Sequence, residues 1–252
     1  FGAVLANPVA QAKFVHTVSA GYVIAALFVL GISAWFLLKK RHIDLAKRSM
    51  TVAASFGLAA SLSVVVLGDE SGYMATEHQK MKLAAVEAMW HTERAPAAFT
   101  AFGFPDQDAR ETHYAIHIPF VMGLIGTRSL ETEIPGIHDL VQLAEVRIRQ
   151  GIQAYDALEQ IRALGGGTPV PAELKARFEQ HSGVLGYALL LKRYIDDPRQ
   201  ASDAQIAQAA LDTVPQVAPL FWSFRIMVAL GIFFIVLTGV FFWLSARRQL
   251  AA

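Results

Sequence analysis

Cysteine is absent from the 252 residues, which excludes disulfides, iron–sulfur clusters and thiolate zinc sites. Charge is scarce as well. Asp, Glu, Lys and Arg together make up 17% of the chain, against about 25% in ordinary soluble proteins. A phosphate-cradling loop is missing, because Gly165-Gly166-Gly167 is followed by Thr168-Pro169 and lacks the P-loop lysine. No Gly-x-Ser-x-Gly nucleophile elbow occurs either. A basic patch for nucleic acid is lacking, so that class is set aside. The chain opens on Phe1-Gly2 with neither an initiator Met nor a signal peptide, and is expected to be an internal piece of something longer.

Hydrocarbon fills the gap. Hydrophobic residues reach 54% and the mean hydropathy is +0.38. A bilayer core of about 30 Å needs about 20 mostly apolar helical residues. Thr17–Leu38 and Met50–Gly68 carry no charge, and Leu220–Leu244 carries only Arg225. The second of these is rich in Ala, Gly and Ser, which suits close helix packing. Lys39, Lys40, Arg41, Lys47 and Arg48 lie between the first two runs, and Arg247 and Arg248 follow the third. The excess of Lys and Arg predicts that 39–49 and the tail 245–252 face the cytoplasm. Residues 1–16 and 69–219 then lie on the outer face. The 69–219 segment holds 13 Lys/Arg against 20 Asp/Glu.

A connection of that length is a domain or a functional excursion. Apolar spacing of three and four predicts helices over 75–90, 137–164, 171–194 and 202–211, with Ser202 or Asp203 as the last N-cap. Gly165–Gly167 reads as a stop, and Ala95–Pro105, with Pro96 and Gly103, as loop. The expected fold is an all-α membrane protein: three transmembrane helices with a large, mostly helical extra-cytoplasmic loop between the second and third.

Within this frame a few residues carry chemistry. His16 stands at the outer end of the first span and Met227 about two turns into the third, at comparable depth from the same side. Imidazole plus thioether is the ligand pair of low-spin electron-transfer haems; the plain alternatives are an interfacial histidine and a packing methionine. Arg225 inside a span calls for an anionic partner, such as a haem propionate, unless it snorkels to the interface. Asp69 and Glu70 stand where the second span ends, and Lys80, Lys82 and Glu87 follow. Carboxylates beside lysines suit a reaction that removes protons from a bound hydroxyl, and equally a solvated helix face. Lys82 and Glu87, five residues apart, are about 140° apart on a regular helix. His113 and His117 have the spacing of a helical metal pair but lack the accompanying Glu of a metalloprotease, so surface or packing histidines are preferred.

Several stretches resemble subunit I of the cytochrome bd quinol oxidases, in order and over nearly the whole chain: Asn7–Thr17, Val65–Tyr73, Lys80–Ala88, Gly186–Tyr194 and Phe224–Ala229. The resemblance implies that His16 and Met227 are the axial ligands of a low-spin haem b, and that Arg225 beside it supports the reduced form. It implies that Lys82 and Glu87 take part in quinol binding and oxidation, with Asp69 and Glu70 in a neighbouring motif. It also suggests that the loop is not a regular helix at Lys82 and Glu87. The ligands of the family's second haem b and of haem d lie outside this stretch. The reading is therefore the quinol-oxidising part of a quinol:oxygen oxidoreductase of the bacterial cytoplasmic membrane. Its partners would be ubiquinol or menaquinol, a second oxidase subunit and the bilayer. The rival is a non-catalytic, membrane-anchored helical module that binds a partner.

Overall fold

The computed structural model describes residues 2–165 and 169–250. It is mostly helical, and three helices are long and apolar enough to cross a membrane. A short α1 (Gly2–Leu5) leads into α2 (Pro8–Leu38), which starts sharply because the Asn7 side chain accepts from the Ala10 N–H and Pro8 occupies its first turn. α3 (Ile43–His78) returns antiparallel, and α9 (Val217–Ala246) is the third long helix. At about 1.5 Å per residue each exceeds 40 Å, longer than the apolar runs that nucleate it.

The central helix is α3, packed against both α2 and α9. A small residue makes this possible. A Cβ at Gly57 would lie 2.9 Å from the Ala26 Cβ of α2 and 3.1 Å from the Thr238 Cγ2 of α9. The three helices therefore share one level at Gly57, Ala26 and Thr238. Nearer the 39–49 turn, Leu30, Met50, Ala53, Ala54 and Leu250 form a small core.

Beyond α3 the backbone breaks at Gln79 (φ −134°, ψ 50°) and resumes as α4 (Lys80–Glu87), so the helix predicted over 75–90 is two helices and stops before Trp90. A β-hairpin follows, β1 (Phe99–Asp106) antiparallel to β2 (Glu111–Ile118), with register shifts at Thr100/Phe102 and Phe102/Phe104. The sequence reading placed loop over part of β1 and helical spacing on His113 and His117. The hairpin forms because aromatic and β-branched residues on both segments favour a pleated surface. A π-helical turn (Gly123–Thr127) leads to α5 (Ile137–Ala163). The helix predicted over 171–194 is α6 (Ala172–His181) and α7 (Leu185–Ala188) with 3₁₀ turns at Ser182–Val184 and Leu189–Arg193. α8 (Asp203–Leu211) is capped by Ser202, whose hydroxyl and the Gln205 side chain form a reciprocal capping box. Gly166 and Gly167 of the proposed stop lie outside the described residues, as do Phe1 of the lead-in and the last two residues of the tail.

Two cores organise the excursion. Ala144, Ile148 and Leu191 meet Ile206, Ala209 and Ala210 beneath α5. The other core joins α4 and the start of α5 to Val217 and Phe221, the first turns of α9. That second core fixes α4 against the third long helix.

Candidate functional site

Glu87 ends α4 and Arg225 lies two turns into α9, and the shared core brings them together. Arg225 Nη2 donates to Glu87 Oε2 at 2.8 Å, with the side chains 9% and 3% exposed. The guanidinium has five N–H groups, and five hydrogen bonds use them. Besides Glu87 the acceptors are the Thr100 carbonyl, from both Nε and Nη2, and the Val86 and Phe221 carbonyls, from Nη1. Phe221 stacks on the guanidinium with its centroid 3.6 Å away, and Phe99 of β1 lies at 5.0 Å. Arg225 thus neither snorkels nor has a donor free. Its anionic partner in the chain is a carboxylate from the excursion.

Burial pushes the Glu87 carboxyl up to about 7, against the opposing pull of Arg225, with a small further push from Glu93. Oε2 is committed to Arg225, while Oε1 makes no hydrogen bond among the described residues. A carboxyl poised there, with one free oxygen, suits proton acceptance near neutral pH.

The α4 helix is regular from Lys80 to Glu87, which corrects the expectation of an irregular loop at this point. Its consequence is a separation. Lys82 is exposed and Glu87 buried, on faces about 140° apart. Asp69 and Glu70 belong to another cluster: Arg128 Nη2 lies 3.3 Å from Asp69 Oδ2 and 2.6 Å from Glu70 Oε2, and its guanidinium stacks 4.2 Å from the Tyr73 centroid. This clamp ties the π-helical turn to the far end of α3. Arg128 carried no sequence signal beyond being one basic residue among many in the excursion. Thr100 and Val86 act through backbone carbonyls, which no side-chain pattern reveals.

His16 packs on α3. Its ring Nδ1 is shut away from solvent with no hydrogen-bond partner among the described residues, and a Cβ at Gly68 would lie 3.3 Å from its Cε1. Met227 is 50% exposed on α9. From the level shared by Ala26, Gly57 and Thr238, His16 and Gly68 lie ten and eleven residues along their helices, and Met227 eleven along its own. All three are therefore displaced about 15–17 Å in the same direction. The other ring nitrogen, Nε2, is not shut away and makes no hydrogen bond among the described residues; with the uncovered Met227 thioether at one depth it gives a donor pair that fits a low-spin haem.

His113 and His117 sit on β2, exposed, which overturns the helical pairing. His113 Nε2 lies 3.8 Å from Asp106, and His117 Nδ1 lies 3.3 Å from the Thr100 hydroxyl. Among the described residues no group of three or more His, Asp or Glu side chains is placed to hold a metal ion.

Comparisons with known proteins give the family and the fold. Residues 1–252 match the family described as cytochrome bd terminal oxidase subunit I. The chain belongs to that family. It is 42% identical over 231 residues to cytochrome bd-II ubiquinol oxidase subunit 1 of Escherichia coli (strain K12), covering 92% of this chain and 44% of that protein. With cytochrome bd ubiquinol oxidase subunit 1 of Bacillus subtilis (strain 168) it shares 26% over 254 residues, 99% of this chain and 41% of that one. The chain thus spans less than half the length of these curated relatives. In fold it is similar to the bd oxidase from Geobacillus thermodenitrificans, with a TM-score of 0.50 and 19% identity, covering 98% of this chain and 60% of that one.

Proposed function

We propose that this chain is the quinol-oxidising, haem-b-holding part of a quinol:oxygen oxidoreductase of the bacterial cytoplasmic membrane. The buried Glu87–Arg225 pair carries the reading, because it holds a carboxyl tuned to about 7 against the helix that bears Met227. Ubiquinol or menaquinol approaches from the excursion, which the charge pattern assigns to the outer face. Oε1 of Glu87 accepts a hydroxyl proton on the buried side of α4, while Lys82, exposed about 140° away on the same helix, acts on the approach and not on the bound ring. Asp69 and Glu70 hold the site's rim to α3 through Arg128.

His16 and Met227 would hold the haem b, which when bound supplies one-electron acceptance. Arg225, its donors spent within the protein, acts there by its positive charge, which favours an added electron nearby. The second haem b and haem d, the oxygen chemistry and the second oxidase subunit belong to the complete protein. Family membership favours this reading over a partner-binding anchor.

The test is a reduced-minus-oxidised optical spectrum of membranes carrying the full-length subunit, beside His16→Ala and Met227→Leu. Met227→Leu nearly conserves volume, so the fold should tolerate it at under about 1.5 kcal/mol. Loss of a low-spin b signal in both variants is the expected result. An unchanged signal in either removes that residue from the haem.

A further inference from the structure

At the end of the long helices away from the excursion, a cleft of about 610 Å³ opens between the start of α3 and the end of α9. Nothing in the quinol reading uses it. Lys47, Arg48 and Arg248 line it, and among the described residues none of the three is in an ion pair. Three like charges round one concavity repel, and an anion between them reverses the sign of that energy.

Of the two hydroxyls in the lining, one has its proton to spare. Thr51 spends its hydroxyl proton on the Lys47 carbonyl at 2.9 Å. The Ser245 hydroxyl oxygen is buried and has no partner among the described residues, a state that folded proteins rarely leave unanswered. Thr51 and Ser245 lie six and seven residues from the contact level of Gly57 and Thr238, about 9–10 Å along their helices. Both hydroxyls thus sit at one height, where an apolar helix bundle gives way to cations. Apolar surface completes the cleft: Leu250, nearly buried, and Val52, 70% exposed.

Cations above, a hydroxyl donor between and an apolar wall below describe an amphipathic anion. We propose that this cleft seats an anionic phospholipid, its phosphate held by Lys47, Arg48, Arg248 and the Ser245 hydroxyl, with an acyl chain along Val52. A free phosphate shares the headgroup chemistry but has no use for the apolar wall. The basic cleft between helices at a membrane face matches the general mode of anionic headgroup capture.

The test is native mass spectrometry of the complete oxidase complex released from nanodiscs of phosphatidylglycerol or of phosphatidylcholine. The wild type should retain phosphatidylglycerol over phosphatidylcholine. A Lys47→Gln/Arg48→Gln/Arg248→Gln variant should lose that retention by about fivefold per charge removed, with the optical spectrum unchanged. If the triple variant fails to insert, Arg248→Gln alone should give a single loss of about fivefold, and Ser245→Ala a smaller one. Equal retention of both lipids, an undiminished preference in the inserted variants, or displacement of the lipid by millimolar inorganic phosphate overturns the proposal.

Discussion

Glu87 and Arg225, 138 residues apart in the chain, meet at 2.8 Å in a nearly solvent-free site. Desolvating two charges costs several kcal/mol each, and their attraction, with the guanidinium's five N–H groups all finding acceptors, offsets only part of this, so the Glu87 carboxyl stays raised to about 7. Removing one partner strands the other. Arg225→Met should therefore destabilise the protein by about 3–5 kcal/mol, whereas Glu87→Leu combined with Arg225→Met should cost less than Arg225→Met alone. Thermal or denaturant melts of the purified full-length complex check this. A double variant as unstable as the sum of the single ones would show that the two side chains do not couple.

The pH dependence has a definite sign. The Glu87 carboxyl titrates at about 7 in the folded protein against an ordinary 4.5, driven by burial, with Arg225 pulling it down and Glu93 pushing it slightly up. The folded state therefore holds the proton more tightly than the unfolded chain. The stability this contributes is full below about pH 4.5 and is lost as pH rises through 7. The wild type should show a fall in melting temperature across that window which Glu87→Gln, lacking the titration, does not. Parallel pH curves for the two proteins would assign the slope to other groups.

Gly68 is the floor on which the His16 ring rests. A Cβ there would come to 3.3 Å of the His16 Cε1, tight enough that the ring must give by a few tenths of an ångström. Gly68→Ala should therefore shift the b-type optical signal slightly, and Gly68→Leu should abolish it by displacing the ring. Both variants leave His16 and Met227 in the chain, so the measurement separates ligand position from ligand identity. A normal spectrum in Gly68→Leu would mean that the His16 ring does not bind at this seat.

What was legible in the sequence was what repetition encodes. Three apolar runs, broken only by Arg225 in the third, predict the long helices because a bilayer-length run has few other uses, and Ser202 or Asp203 marks the start of α8 as an N-cap, which the structure assigns to Ser202. The hairpin was harder to read. Tyr114, Ile116 and Ile118 do alternate along β2, but eight residues with Pro119 beyond them give a short signal, and β1 is interrupted by two register shifts. The site was half legible. Arg225 announced that it needed a partner, and residue chemistry suggested Glu87 for another task. That each answers the other depends on the α4–α9 core, a long-range contact without periodicity. Arg128 and the Thr100 carbonyl were out of reach for the same reason.

Arg128 provides the last check on how the excursion is held. Its partners are Asp69, Glu70 and the Tyr73 ring, all on the last turns of α3, and it caps the π-helical turn in a left-handed conformation (φ 52°). The cluster is open to water, so salt screens it and its effect on global stability is small. Its effect on the excursion is local, because Gly126 of the same turn lies against Thr76 of α3, where a Cβ would come to 3.7 Å of the threonine hydroxyl. Arg128→Ala should therefore leave the melting temperature and haem spectrum near wild type while speeding proteolysis within 119–136. It should raise the quinol KM by about a few-fold, with kcat nearly unchanged, because a site whose rim is loose binds less well but reacts as before once filled. A fall in kcat with unchanged KM would instead place Arg128 in the chemical step. Asp69→Asn/Glu70→Gln, which removes the charges from the other side of the clamp, should reproduce the Arg128→Ala pattern if the three residues act as one unit.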